Sequence, residues 1–129
     1  MAVKDPRGTI SRSFFNTAGQ LTKTVTNCTT TGTTIPTDWA NCTGAGTNDG
    51  TFNLTTTFAY DGHGNQVSLT GPNGRVTTSS YDGADRLDKV IDNDVASPTL
   101  PTDDVTTAYF YDGLGRQAAI KAPTATGST

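Results

Sequence analysis

The sequence predicts an all-β protein of tandem β-hairpins joined into an open-ended sheet. Three observations carry this. One five-residue frame occurs four times, as Phe15-Asn16-Thr17-Ala18-Gly19, Tyr60-Asp61-Gly62-His63-Gly64, Tyr81-Asp82-Gly83-Ala84-Asp85 and Tyr111-Asp112-Gly113-Leu114-Gly115. Recurrence of that kind signals stacked copies of one structural unit. The 129 residues are only 33% hydrophobic and 16% charged, with Thr in surplus and Gly, Asn and Asp behind it. Thr is β-branched and suits a half-exposed strand, while Gly, Asn and Asp suit turns. Finally, several segments alternate with period two, and no long stretch shows the 3.6 period of a helix.

The elements follow in order. Asp5-Pro6-Arg7-Gly8 reads as a turn, since Pro presets φ and Gly ends it. Ile10 to Phe15 is a strand whose inward face is left open by the adjacent Phe14 and Phe15. Gln20 to Val25 returns from the first aromatic turn. Phe52 to Tyr60 alternates, with Phe52, Leu54, Phe58 and Tyr60 on one face and Asn53, Thr55, Thr57 and Ala59 on the other. Gln66 to Leu69 returns, Gly71-Pro72-Asn73-Gly74 turns again, and Val76 to Tyr81 is a more polar strand. Arg86 to Ile91, Val105 to Tyr111 and Arg116 to Ile120 complete the set.

Asp-Gly between apolar strands is a strong hairpin signal. Asp or Asn caps backbone amides two residues on, and Gly accepts positive φ. The turn residues are therefore Asn16, Gly19, Asp61, Gly64, Asp82, Asp112 and Gly115. In the third frame Asp85 replaces the Gly. The repeat aromatics Phe15, Tyr60, Tyr81 and Tyr111 are expected to form the core. They lie 45, 21 and 30 residues apart in turn, which places insertions at about 28–50 and 92–104. Such insertions map to loops on one face or edge of an array. Residues 1–129 read as a single module. So thin an apolar supply predicts that neighbouring repeats, in this chain or the next, provide missing contacts.

The net charge is −3 and the nine Lys and Arg are scattered. That argues against nucleic acid and anionic membrane as partners. No apolar run is long enough to span a bilayer. Met1 to Pro6 lacks the apolar stretch of a signal peptide. Cys28 and Cys42 are either two free thiols or a disulfide closing a surface loop. The exported-looking composition favours the disulfide.

Three Asn-x-Thr sequons begin at Asn27, Asn41 and Asn53. They are chance products of a Thr-rich chain or sites for covalent glycans on accessible Asn. No catalytic, metal or cofactor set emerges. His63 is the sole histidine, and nothing nearby in sequence supplies a nucleophile and an orienting carboxylate. Two cysteines and one distant histidine do not complete a tetrahedral metal set. The acids Asp92, Asp94, Asp103 and Asp104 lack a calcium-loop pattern, and the chain contains no Glu. Trp39 is expected to anchor the long insertion against the sheet.

These motifs resemble the YD-repeat, or RHS (rearrangement hotspot), family. Its unit runs roughly Tyr-Asp-x-x-Gly-Arg-Leu, a strand, Asp-Pro-x-Gly, and a strand back to Tyr-Asp. Tyr111 to Arg116 matches well, Val67 to Asp82 matches almost a whole unit, and Asp5 to Asn16 fits a degenerate one. The resemblance implies hairpins joined in a spiralling sheet, often a hollow shell. In bacteria such shells enclose toxic domains, and related shells occur in animal adhesion proteins. This chain has about four units, where a closed shell needs many.

Val3-Lys4-Asp5-Pro6 and Ile120-Lys121-Ala122-Pro123 read as one element met twice. Two explanations fit, a slice of a longer repeat protein or a subunit that joins head to tail. The expected function is therefore a structural, non-catalytic module, assembled end to end as an extracellular fibre or as part of a larger shell. The alternatives are a glycan- or surface-binding adhesion module using the 28–50 loop, and a fragment of a toxin-encapsulating protein.

Overall fold

The computed structural model describes residues 1–4, 9–29, 42, 50–96, 99–100 and 102–124. All regular structure there is strand: β1 (Ala2–Lys4), β2 (Ile10–Phe15), β3 (Leu21–Thr26), β4 (Leu54–Tyr60), β5 (Gln66–Thr70), β6 (Val76–Tyr81), β7 (Leu87–Asp92), β8 (Val105–Tyr111) and β9 (Gln117–Thr124). The fold is all-β, an open antiparallel sheet in which strand order follows the sequence. Among the described residues no helix is long and apolar enough to cross a membrane. The expected turn at Asp5–Gly8, Trp39 and Asn41 lie outside the described residues.

Contacts divide the chain into two compact units, where the sequence suggests one module. The first is Met1–Phe58 with Gly71–Gly74, the second Ala59–Thr70 with Arg75–Thr129. In a stack of hairpins each strand touches only its neighbours, so cohesion is local.

The two units repeat one pattern. In the first, β1 and β2 pair Ala2 with Arg12, Val3 with Ser11 and Lys4 with Ile10. In the second, β5 and β6 pair Ser68 with Thr78, Leu69 with Thr77 and Thr70 with Val76. Every one of these positions is displaced by 66 residues, Ile10 falling on Val76. The next ladder obeys the same displacement, with Arg12 opposite Val25 and Thr78 opposite Ile91. In the third, Val25 lies opposite Thr55 and Ile91 opposite Thr106, so the first strand keeps the displacement of 66 while its partner, past the shorter second insertion, is displaced by 51. Register is set by hydrophobic pattern and turn geometry, so an unchanged register means that both are repeated.

Among the described residues the apolar core lies in the first unit and is small. Ile10, Val25, Cys28 and Cys42 are buried, and the partly buried Phe14 packs against them. The Phe14 ring also carries the Arg12 guanidinium at 4.7 Å and the Lys23 ammonium at 4.4 Å from its centroid. This settles which of the two adjacent phenylalanines points inward. Phe15 is 51% exposed and does not join the core as expected. A bulge between Phe14 and Phe15 turns it outward.

Candidate functional site

The four aromatic turns share one hydrogen-bond diagram. The Asp61 amide donates to the Asn65 carbonyl and the Gly64 amide returns to the Asp61 carbonyl. Asp61 Oδ1 accepts from the His63 and Asn65 amides, each at 2.9 Å. Asn16, Asp82 and Asp112 repeat this with Ala18 and Gln20, Ala84 and Arg86, and Leu114 and Arg116. This is a type I turn closed by one residue in the left-handed region. Gly19, Gly64 and Gly115 fill that place with φ of 79°, 94° and 79°. Asp85 fills it in the third turn at φ 59°, so the missing Gly does not change the turn. A short polar side chain tolerates that conformation. Donated amides hold the Asp61, Asp82 and Asp112 carboxyls below their ordinary range, led in Asp82 by the Arg86 side chain.

Neighbouring hairpins are tied by side chains. The Tyr81 hydroxyl donates to the Gln66 carbonyl at 2.9 Å, and the Tyr111 hydroxyl to the Leu87 carbonyl at 2.7 Å. In both cases the acceptor is the first strand residue after the preceding turn. The Arg86 guanidinium lies over the Tyr111 ring at 4.5 Å and pairs with Asp82. The half-buried tyrosines are thus links between hairpins as much as core.

The model of the RHS Repeat family matches residues 60–94, a stretch holding two of these turns and the first tyrosine link. Residues 60–94 are thus similar to an RHS repeat. No curated protein matches the chain.

Within this stretch the two turns meet at Asp85. Its Oδ1 accepts from His63 Nδ1 at 2.7 Å and from Asn65 Nδ2 at 2.9 Å. His63 is raised above its ordinary pKa by the Asp85 hydrogen bond first, then by the charges of Asp85 and Asp61. Asp85 is lowered by the same bond and by Asn65. The sequence reading missed this carboxylate because it lies 22 positions away. A groove of about 490 Å³ runs beside the pair, lined by Asp61, His63, Val67, Ser79, Ser80, Tyr81, Asp82 and Asp85.

A histidine oriented by a carboxylate is half of an acid–base relay. The Ser80 hydroxyl, however, is buried with no hydrogen-bond partner. Among the described residues no group of three or more His, Cys, Asp or Glu is placed to hold a metal. The side chains of His63 and Asp85 are 70% and 50% exposed, so the pair is a surface tie between turns.

Both insertions leave the repeat through the same clasp. At the first, Asn27 and Asn53 are left-handed, with φ of 52° and 53°. The Asn53 amide donates to the Asn27 carbonyl, and Asn27 Nδ2 to the Thr51 carbonyl. The Thr29 amide donates to Asn53 Oδ1. At the second, Asn93 and Asp104 are left-handed and Asp104 donates to Asn93. There Asn93 Nδ2 reaches the Thr102 carbonyl, and the Val95 amide donates to Asp104 Oδ1. A Thr two residues on, Thr55 or Thr106, hydrogen-bonds the last clasp carbonyl. The signal in sequence is Thr-x-(Asn/Asp)-(Leu/Val)-Thr, at 51–55 and at 102–106.

What fills each loop differs. In the first, Cys28 and Cys42 form a disulfide with Cα atoms 5.7 Å apart. Arg12 donates to the Cys42 carbonyl beside it. In the second, Asp103 is buried and takes the Thr99 and Leu100 amides on Oδ2 and Asn93 Nδ2 on Oδ1. Those amides lower its carboxyl.

The clasp also revises the sequon at Asn53. This side chain is 2% exposed, and its Nδ2, the atom a glycan would need, donates to Thr29 Oγ1 at 2.7 Å. Strand alternation counted from Phe52 puts Asn53 outward. Its left-handed backbone breaks the alternation and turns it in. Asn27 is half-buried, its Nδ2 engaged by Thr51.

Proposed function

We propose that this chain is a structural, non-catalytic repeat module that assembles end to end outside the cell, as a fibre or as part of a larger shell. The observation that carries this reading is the repeated register. Two successive units pair their strands identically, and β9 leaves its second edge unpaired among the described residues. An exposed strand edge templates another strand. A head-to-tail contact grows into an open filament unless its rotation closes a ring. RHS repeats occur in larger repeat chains, and proteins bearing them are generally extracellular or on the cell surface. The disulfide fits an oxidising compartment of that kind.

Negative-stain electron microscopy and analytical ultracentrifugation of the purified chain test this. Elongated or shell-like assemblies are expected, while monomers at every accessible concentration would refute it. A second reading takes the 28–50 loop as an adhesion surface for a glycan or cell-surface partner. Its support is that the loop is pinned at both Cys28 and the Asn27–Asn53 clasp. Truncating the loop would leave assembly intact and abolish such binding. A toxin-enclosing shell is a further variant of the structural reading, in which this chain is one part of the wall.

A further inference from the structure

The strands β1, β5 and β9 occupy one place in the repeat. Ser68-Leu69-Thr70 falls on Ala2-Val3-Lys4 by the 66-residue displacement. After the shorter second insertion the displacement is 51, and Ala119-Ile120-Lys121 falls on Ser68-Leu69-Thr70. The outer two also match in sequence. Ala2-Val3-Lys4 is followed by Pro6, and Ala119-Ile120-Lys121 by Pro123 at the same spacing. β5 is the complete case, lying against β6 in a register that β1 and β2 reproduce. β9 has no such neighbour among the described residues. Gln117 to Lys121 are all exposed, Ile120 at 54%, whereas its counterpart Leu69 is half-buried.

We propose that β9 of one chain replaces β1 of the next. Ala119, Ile120 and Lys121 then pair with Arg12, Ser11 and Ile10 of the second copy. This rests on the end-to-end reading above and adds to it the strand, the register and the displaced element. The exchange is physically balanced. β1 has three residues and, among the described residues, is held on one side only, by β2. β9 arrives already ordered against β8, through pairs such as Tyr109 with Ile120, so little further chain entropy is lost on docking. Backbone pairing supplies affinity, and the side chains on alternate positions supply specificity.

Two single variants, Ile120→Cys and Ser11→Cys, are mixed under mild oxidation. The native cysteines are already paired and do not compete. An intermolecular disulfide is expected to form at least about tenfold faster than when Ser13→Cys replaces Ser11→Cys. That control sits two positions along the strand, about 7 Å from register and beyond disulfide reach. Assembly with equal crosslinking of the two pairs, or with none, overturns the strand exchange and leaves the end-to-end reading standing. No assembly at all overturns both. Val3→Pro, which weakens β1, should promote assembly of the otherwise unaltered chain. A neutral or negative effect means that β1 is not displaced.

Discussion

The two units build one ladder with different chemistry. In the first, Ile10, Val25 and the Cys28–Cys42 disulfide are buried together. In the second, the counterparts Val76 and Ile91 are only half-buried, and Asp94 stands where Cys28 does. Polar ties replace the apolar core there. Arg75 grips Asp92 through two bonds, Thr77 joins them, and Thr78 donates to Asp94. One loop is sealed by a covalent bond and the other by the buried carboxylate of Asp103. The comparison teaches that the turns and clasps specify this fold, while the filling between them is exchangeable. Both fillings hold the same register.

Four perturbations would break or sharpen that contrast. Reducing the disulfide, or replacing both cysteines by alanine, should have the largest effect. The 14-residue separation predicts a loss of about 3 kcal/mol in the chain-entropy model, read by denaturant unfolding with and without reductant. The loss should fall on the first unit. Asn53→Ala comes next, because it strands the buried Thr29 amide and hydroxyl. A cost of about 1–3 kcal/mol is expected by the same assay, and a neutral result would mean that the clasp is incidental.

Tyr111→Phe removes the bond to the Leu87 carbonyl and keeps the ring under Arg86. About 1 kcal/mol should be lost, confined to the second unit. The smallest effect belongs to His63. Its raised pKa means a stabilising contribution present below the free imidazole value and lost as pH rises through the folded value. An NMR titration should place His63 above free histidine, and Asp85→Asn should return it.

Much of this was legible in the chain. The alternation from Val105 to Tyr111 and from Val76 to Tyr81 gave both strands to the residue, and Asp-Gly gave three of the turns. The family resemblance was legible too, because the turn chemistry and the tyrosine spacing recur. Three things were hidden. The outward turn of Phe15 depends on a bulge that periodicity does not encode. The inward turn of Asn53 depends on a single left-handed residue. The partnership of His63 with Asp85 joins two turns whose separation in sequence says nothing of their distance. Each is a local backbone exception or a contact across hairpins, and a pattern read along one strand carries neither.

Residue-resolved hydrogen exchange tests the central contrast most directly. Among the described residues, the carboxyls held below their ordinary range, Asp61, Asp82, Asp85, Asp92, Asp103 and Asp112, belong to the second unit. Their stabilisation is present above the unfolded carboxylate pKa and disappears as pH falls below about 4. At pH 3 the amides of β6 to β8 should lose protection ahead of β2 and β3. At neutral pH with reductant the order should reverse. Equal loss of protection in both units under both treatments would contradict the account.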